Sequence, residues 1–125
     1  MKKVLYIEDT ADNRDLVTQI LESVYEVHTA VNGEEGIALA RSLRPDLILM
    51  DISLPVMDGL TCTRLIRDDP ALRSVPVIAL TAHCMVGDRE RALAAGCDEF
   101  LSKPFRFAQL RGLVETALTR SGRPG

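Results

Sequence analysis

No apolar run in this chain approaches the roughly 18 residues of a membrane-spanning helix, and no span is expected. After Met1-Lys2-Lys3 only the short apolar run Val4 to Ile7 precedes Glu8 and Asp9. A secretory leader needs a longer stretch, so a cytoplasmic protein is expected. Cysteine is scarce: Cys62, Cys84 and Cys97 are odd in number and lack C-x-x-C spacing, which reads most simply as free thiols in a reducing compartment. A basic excess is also missing. Lys and Arg total 15 against 18 Asp and Glu, a net charge of −3, which argues against a nucleic-acid footprint. Repeats and low-complexity blocks are absent. What is present is ordinary globular material: 125 residues, 46% apolar and 26% charged, enough for one domain with a core that needs no staples. Residues 1–119 read as that domain and 120–125 as a flexible C-terminal tail.

Short apolar runs alternate with helical patterns. The runs are Val4–Ile7, Glu26–Ala30, Leu47–Met50, Val77–Leu80 and Glu99–Leu101. Three are continuously apolar, as strands covered on both faces are, while the run holding His28 is mixed and reads as an edge strand. Leu16, Val17, Ile20, Leu21 and Val24 stripe a first helix. Asn32 caps a second, with Glu34 and Glu35 in its first turn. Leu60, Arg64, Leu65 and Ile66 mark a third, which stops before Pro70. Asp88 to Ala95 form a fourth, ended by Gly96, and Phe107, Leu110, Leu113, Val114, Ala117 and Leu118 stripe a fifth. This alternation predicts an α/β, doubly wound, five-stranded parallel sheet of the flavodoxin-like order 2-1-3-4-5. Ligands in such sheets bind beyond the carboxyl ends of the strands, at the switch point between the first and third.

The polar residues at those ends are Glu8 and Asp9 after the first run, Asp51 after the third, Thr81 after the fourth and Lys103 with Pro104 after the fifth. Each alone has a bland reading as a turn former, a cap or a surface lysine. Together on one sheet edge they form a site. Three gathered carboxylates persist at neutral pH only if protonated or joined by a cation. Hard oxygen ligands in an open site suit Mg²⁺. An Asp beside such an ion and a lysine is a nucleophile toward phosphorus.

With these residues the chain resembles the receiver domain of two-component response regulators, of the single-domain chemotaxis or cell-cycle type or of the hybrid histidine kinase type. The resemblance runs from Lys3 to about Thr119. Its carriers are Tyr6-Ile7-Glu8-Asp9, the stretch from Pro45 through Asp51 to Gly59, Leu80-Thr81-Ala82 and Phe100-Leu101-Ser102-Lys103-Pro104. It implies Asp51 as phosphoacceptor and Mg²⁺, with Mn²⁺ as a substitute, held by Asp9, by Asp51, by the backbone carbonyl of Ser53 and, mostly through water, by Glu8. It implies Thr81, Ala82, Lys103 and Phe100 as phosphoryl-binding and switch residues, a cis bond before Pro104, and Ser53 and His83 as tuners of hydrolysis. Phe100 lacks a hydroxyl, so an inward ring is expected even without a phosphoryl group.

The implied function is to accept a phosphoryl group from a histidine kinase or phosphotransfer protein and to switch a protein-binding surface on the fourth helix, fifth strand and fifth helix. Arg89, Glu90, Phe100, Phe105 and Arg106 are candidates for that surface. Ala11, Arg14 and Asp15 are candidates for the donor's face. Beyond its own phosphorylation and slow dephosphorylation no turnover is expected, so the chain does not read as an enzyme. The alternative is a receiver module of a hybrid histidine kinase or multidomain regulator; the Met1 start favours a stand-alone protein. Two rivals fit less well. A flavin module would not open its first loop with Glu8-Asp9, which repels phosphate. A Mg²⁺-dependent aspartyl-phosphate phosphohydrolase would need an acid where Ser53 stands.

Overall fold

The computed structural model describes residues 1–52, 58–81, 87–103 and 105–119. Its elements alternate from end to end: β1 (Lys3–Ile7), α1 (Ala11–Leu21), β2 (Glu26–Ala30), α2 (Gly33–Leu43), β3 (Leu47–Asp51), α3 (Gly59–Asp68), β4 (Val77–Thr81), α4 (Asp88–Ala95), β5 (Glu99–Ser102) and α5 (Phe107–Thr119). The strands form one parallel sheet in the order β2-β1-β3-β4-β5, the expected flavodoxin-like architecture.

Strand alternation sorts the core into two layers. Leu5, Ile7, Ile48, Met50, Val77 and Ala79 face α2, α3 and α4, where Ile37, Ala40, Cys62, Ile66 and Ala92 meet them. Val4, Tyr6, Leu47, Leu49, Ile78 and Leu80 face α1 and α5, against Val17, Ile20, Leu110 and Val114. All of β3 and β4 is buried, as the continuous apolar runs predicted, and β2 lies at the edge with an exposed Glu26. The side chain of Asn32 caps α2 by accepting from the N–H of Glu35 at 2.8 Å.

The helical stripes need correction at their margins. Leu16, Val24, Leu65 and Phe107 are exposed. In α1 the sheet takes only Val17, Ile20 and Leu21, and Val24 lies beyond the helix end. In α3 the inward face is Gly59, Cys62, Thr63 and Ile66, so Leu65 points to its flank. Small and polar residues were the buried ones there, and apolar counting passed over them.

The amino edge of the sheet is tied by Arg67. Its guanidinium donates to the carbonyls of Gly96 (2.8 Å), Arg73 (3.0 Å) and Val75 (2.6 Å) and to Asp98 Oδ2 (2.8 Å), which also accepts from the N–H of Val77 at 2.8 Å. The Arg67 stem packs against Gly96, where φ is +114° and a Cβ would lie 2.6 Å from Arg67 Cγ. Arg67→Ala would remove the guanidinium partner of the half-buried Asp98 carboxylate and the donor that Arg67 supplies to the Gly96, Arg73 and Val75 carbonyls. A loss of about 2–4 kcal/mol is expected, read as a lower denaturant midpoint at unchanged slope.

Candidate functional site

The site begins as a continuation of the sheet. The N–H of Glu8 donates to the carbonyl of Ala30 at 2.9 Å, that of Ile52 to Leu80 at 3.0 Å and that of Lys103 to Thr81 at 2.7 Å. Ladder bonds therefore hold the chain one residue past β1, β3 and β5, and the side chains there inherit the rigidity of the strands. Ile7 pairs with Met50, so Glu8 emerges beside Asp51. Thr81 pairs with Ser102, which sets Lys103 at the same rim. Crowding from the helix side completes the placement. Gly59, at the start of α3, lies so close to β3 that a Cβ would come within 2.3 Å of the Asp51 carbonyl oxygen. Asp58 caps α3 by accepting from the N–H of Thr61 at 2.8 Å.

Carboxylate oxygens of Glu8, Asp9 and Asp51 all lie within 4.8 Å of one another. Lys103 Nζ is 2.8 Å from Glu8 Oε1 and 3.7 Å from Asp51 Oδ2. Glu8, Asp51 and Thr81 are buried, and Asp9 opens to solvent. Glu8 is heavily bonded. Its Oε1 accepts from the Tyr6 hydroxyl at 2.9 Å and from Asn13 Nδ2 at 3.3 Å as well as from Lys103, and its Oε2 accepts from the N–H of Thr10 at 3.2 Å. Arg14 Nη1 donates to the Glu8 carbonyl at 2.9 Å.

These contacts divide the acids electrostatically. Burial alone would raise the Glu8 pKa, but its bonds with Asp51, Lys103 and Tyr6 outweigh burial and hold it down at about 2. Asp9 is pushed up, chiefly by its contact with the Glu8 carboxylate. The Tyr6 hydroxyl is pushed up strongly, by burial first and by Glu8 second. Among the described residues three carboxylates thus face one ammonium within reach of their oxygens. The donor set is all hard oxygen, the deficit is one of positive charge, and the rim at Asp9 is open to water. These residues fit a small divalent cation that keeps part of its hydration shell, as Mg²⁺ does.

The predicted residues Glu8, Asp9, Asp51, Thr81 and Lys103 therefore share one sheet edge. Phe100 is half buried against the layer of α2, α3 and α4. Arg14 is part of the wall beside Glu8, while Ala11 and Asp15 are exposed. Ser53, Ala82, His83, Pro104 and the tail 120–125 lie outside the described residues. Tyr6 and Asn13 were not singled out as site residues. The signal for Tyr6 was available: residues two apart on a strand share a face, which aligns its hydroxyl with Glu8.

The model for the response regulator receiver domain matches residues 4–115. The chain is 48% identical over 104 residues to the polar-differentiation response regulator DivK of Brucella anthropi, covering 82% of this chain and 85% of that one. It is 42% identical over 116 residues to hybrid signal transduction histidine kinase G of Dictyostelium discoideum, covering 90% of this chain and 3% of that one. Among solved structures, the receiver domain of a Pseudomonas aeruginosa sensor histidine kinase, with a magnesium ion coordinated in its active-site cleft, superposes with a TM-score of 0.87. That pair is 39% identical, with 94% of this chain and 98% of that one covered. The signal receiver domain of a histidine kinase from Syntrophus aciditrophicus gives 0.90 at 32% identity, with 100% and 96% covered.

The Glu8 carboxyl lies below its ordinary 4.5, so its ionised form contributes stability that is complete above that pH and lost as pH falls toward about 2. Asp9, shifted upward, works in the opposite sense and offsets part of it. Acid unfolding without added metal, followed by circular dichroism, is expected to steepen across that window. Glu8→Gln is expected to flatten the slope there.

Proposed function

The chain belongs to the response regulator receiver family, and from that premise we propose that Asp51 is its phosphoacceptor. The observation that carries this reading is the meeting of three carboxylates within 4.8 Å, with the Lys103 ammonium against two of them. Asp9, Asp51 and the carbonyl of Ser53 would hold Mg²⁺ directly, with Mn²⁺ as a substitute, and Glu8 would hold it mostly through water. When bound, the cation supplies positive charge against the phosphoryl oxygens.

The remaining work belongs to the side chains. A carboxylate oxygen of Asp51 attacks the phosphorus of a phosphohistidine presented by a histidine kinase or phosphotransfer protein. The O–P bond forms as the donor's P–N bond breaks, and that electron pair stays with the imidazole nitrogen. The Lys103 ammonium moves its charge from Glu8 toward a phosphoryl oxygen. The Thr81 hydroxyl and the backbone N–H of Ala82 donate to the others. Ser53 and His83 flank the product and tune the attack of water on it. No separate substrate is turned over, so the chain acts as a switch rather than an enzyme. The charge gained at Asp51 draws Thr81 and Lys103 and is read on α4, β5 and α5 by a protein partner. On that face Arg89, Glu90 and Arg106 are exposed, and Phe100 and Phe105 are half buried.

A second context is favoured by the likeness to a hybrid kinase. The same chemistry would then form one step of a relay inside a larger chain.

Acetyl phosphate tests the assignment directly. Intact-mass spectrometry is expected to show one phosphoryl group on the wild type with Mg²⁺, none with a chelator, and none on Asp51→Asn. Equal incorporation in wild type and variant would move the acceptor elsewhere.

A further inference from the structure

We propose that Tyr6 is a positioning residue of the cation pocket: its buried hydroxyl anchors Glu8 so that Asp9 and Asp51 meet a divalent ion in a fixed frame. The inference rests on the reading of Glu8, Asp9 and Asp51 as that pocket.

Tyr6 is fully buried on the sheet face that packs against α1 and α5. Apolar neighbours such as Val17, Leu49 and Leu110 would accept a phenylalanine ring equally well. A hydroxyl buried there is costly unless it is bonded, and its partner is Glu8 Oε1 at 2.9 Å. The other donors to the same oxygen differ in kind. Asn13 Nδ2 is longer, at 3.3 Å, and comes from half-buried α1. Lys103 Nζ, at 2.8 Å, is also 3.7 Å from Asp51 and is the group that phosphoryl transfer draws away. Tyr6 is the donor to Oε1 that rises from the middle of a paired strand, with a ladder neighbour on each side. It keeps Glu8 in place when Lys103 shifts its charge. Without that anchor Glu8 keeps only the longer bonds from Asn13 (3.3 Å) and the Thr10 N–H (3.2 Å) when Lys103 shifts, so its carboxylate is held less firmly where the ion is met. Partners that orient groups around a metal in this way contribute to affinity without touching it.

The test is calorimetric titration with Mg²⁺ alone, with no phosphoryl donor, of wild type, Tyr6→Phe, Glu8→Gln and the double variant. Tyr6→Phe is expected to weaken Mg²⁺ binding about tenfold. In the Glu8→Gln background the same change is expected to have no further effect, because Tyr6 acts through Glu8. A Tyr6→Phe affinity within about twofold of wild type, or an equal loss in both backgrounds, would overturn the proposal. A second measurement keeps Tyr6 intact. The chain has two tyrosines and no tryptophan, so Tyr25→Phe leaves Tyr6 as the sole reporter. Its emission is expected to change saturably with Mg²⁺ at the calorimetric midpoint, and a flat response overturns the proposal even if Tyr6→Phe does not fold. Wild type that binds no Mg²⁺ would sink the cation-pocket reading and this inference with it; wild type that binds beside an unaltered Tyr6→Phe would sink the inference alone.

Discussion

Mutual repulsion among Glu8, Asp9 and Asp51 is the constraint around which the rest is arranged. Like charges this close are tolerated only with compensation, and the compensation comes from distant parts of the chain. Lys103 arrives from the far end of the sequence to lie 2.8 Å from Glu8. Tyr6 and Thr10 add donors from either side of Glu8 itself. The resulting balance is incomplete, since among the described residues one ammonium faces three carboxylates. That residual negative charge makes the pocket receptive to a divalent ion, and the ion would in turn let a phosphoryl group approach acids that otherwise repel it.

Holding such a pocket open requires a frame that does not relax, and β3 and β4 provide it. Every residue of both strands is buried, and both carry neighbours on two sides. Asp51 and Thr81 are the last residues of these strands, so neither can retreat without breaking ladder bonds. Gly59 closes the remaining route by pressing α3 against the Asp51 carbonyl. The acids stay close because the backbone under them has nowhere else to go, and the cost of that closeness is carried by the core.

Much of this was legible before the structure. Short apolar runs, three of them continuous, together with the Asn32 cap and the Gly96 stop set the element order, and the order set which strand ends would meet. The site residues followed because each polar residue stood directly after an apolar run. What escaped was of two kinds. Leu16, Leu65 and Phe107 looked like core but lie exposed, because a helix shows the sheet only a narrow face, and buried Cys62 and Thr63 fill the place that Leu65 seemed to claim. Tyr6 looked like one more core residue in an apolar run. Its hydroxyl matters only once Glu8 is known to be buried beside it. Apolar counting registers the ring and is blind to the oxygen.

The two edges of the sheet solve the same problem differently. At the amino edge Arg67 has an acceptor for each nitrogen and a carboxylate partner in Asp98, so the arrangement is closed. At the carboxyl edge Lys103 is shared between Glu8 and Asp51, and a shared cation can redistribute. The helix between these edges reflects the difference. Only Ala92 and Ala95 of α4 are buried, its amino end begins at Gly87 with φ +90°, and its carboxyl end is bolted by Arg67 to Gly96. Elements with few buried contacts open at the lowest free energy. The helix α4 is thus held firmly at its carboxyl end and lightly along its length, the condition under which an element opens locally at low cost in free energy.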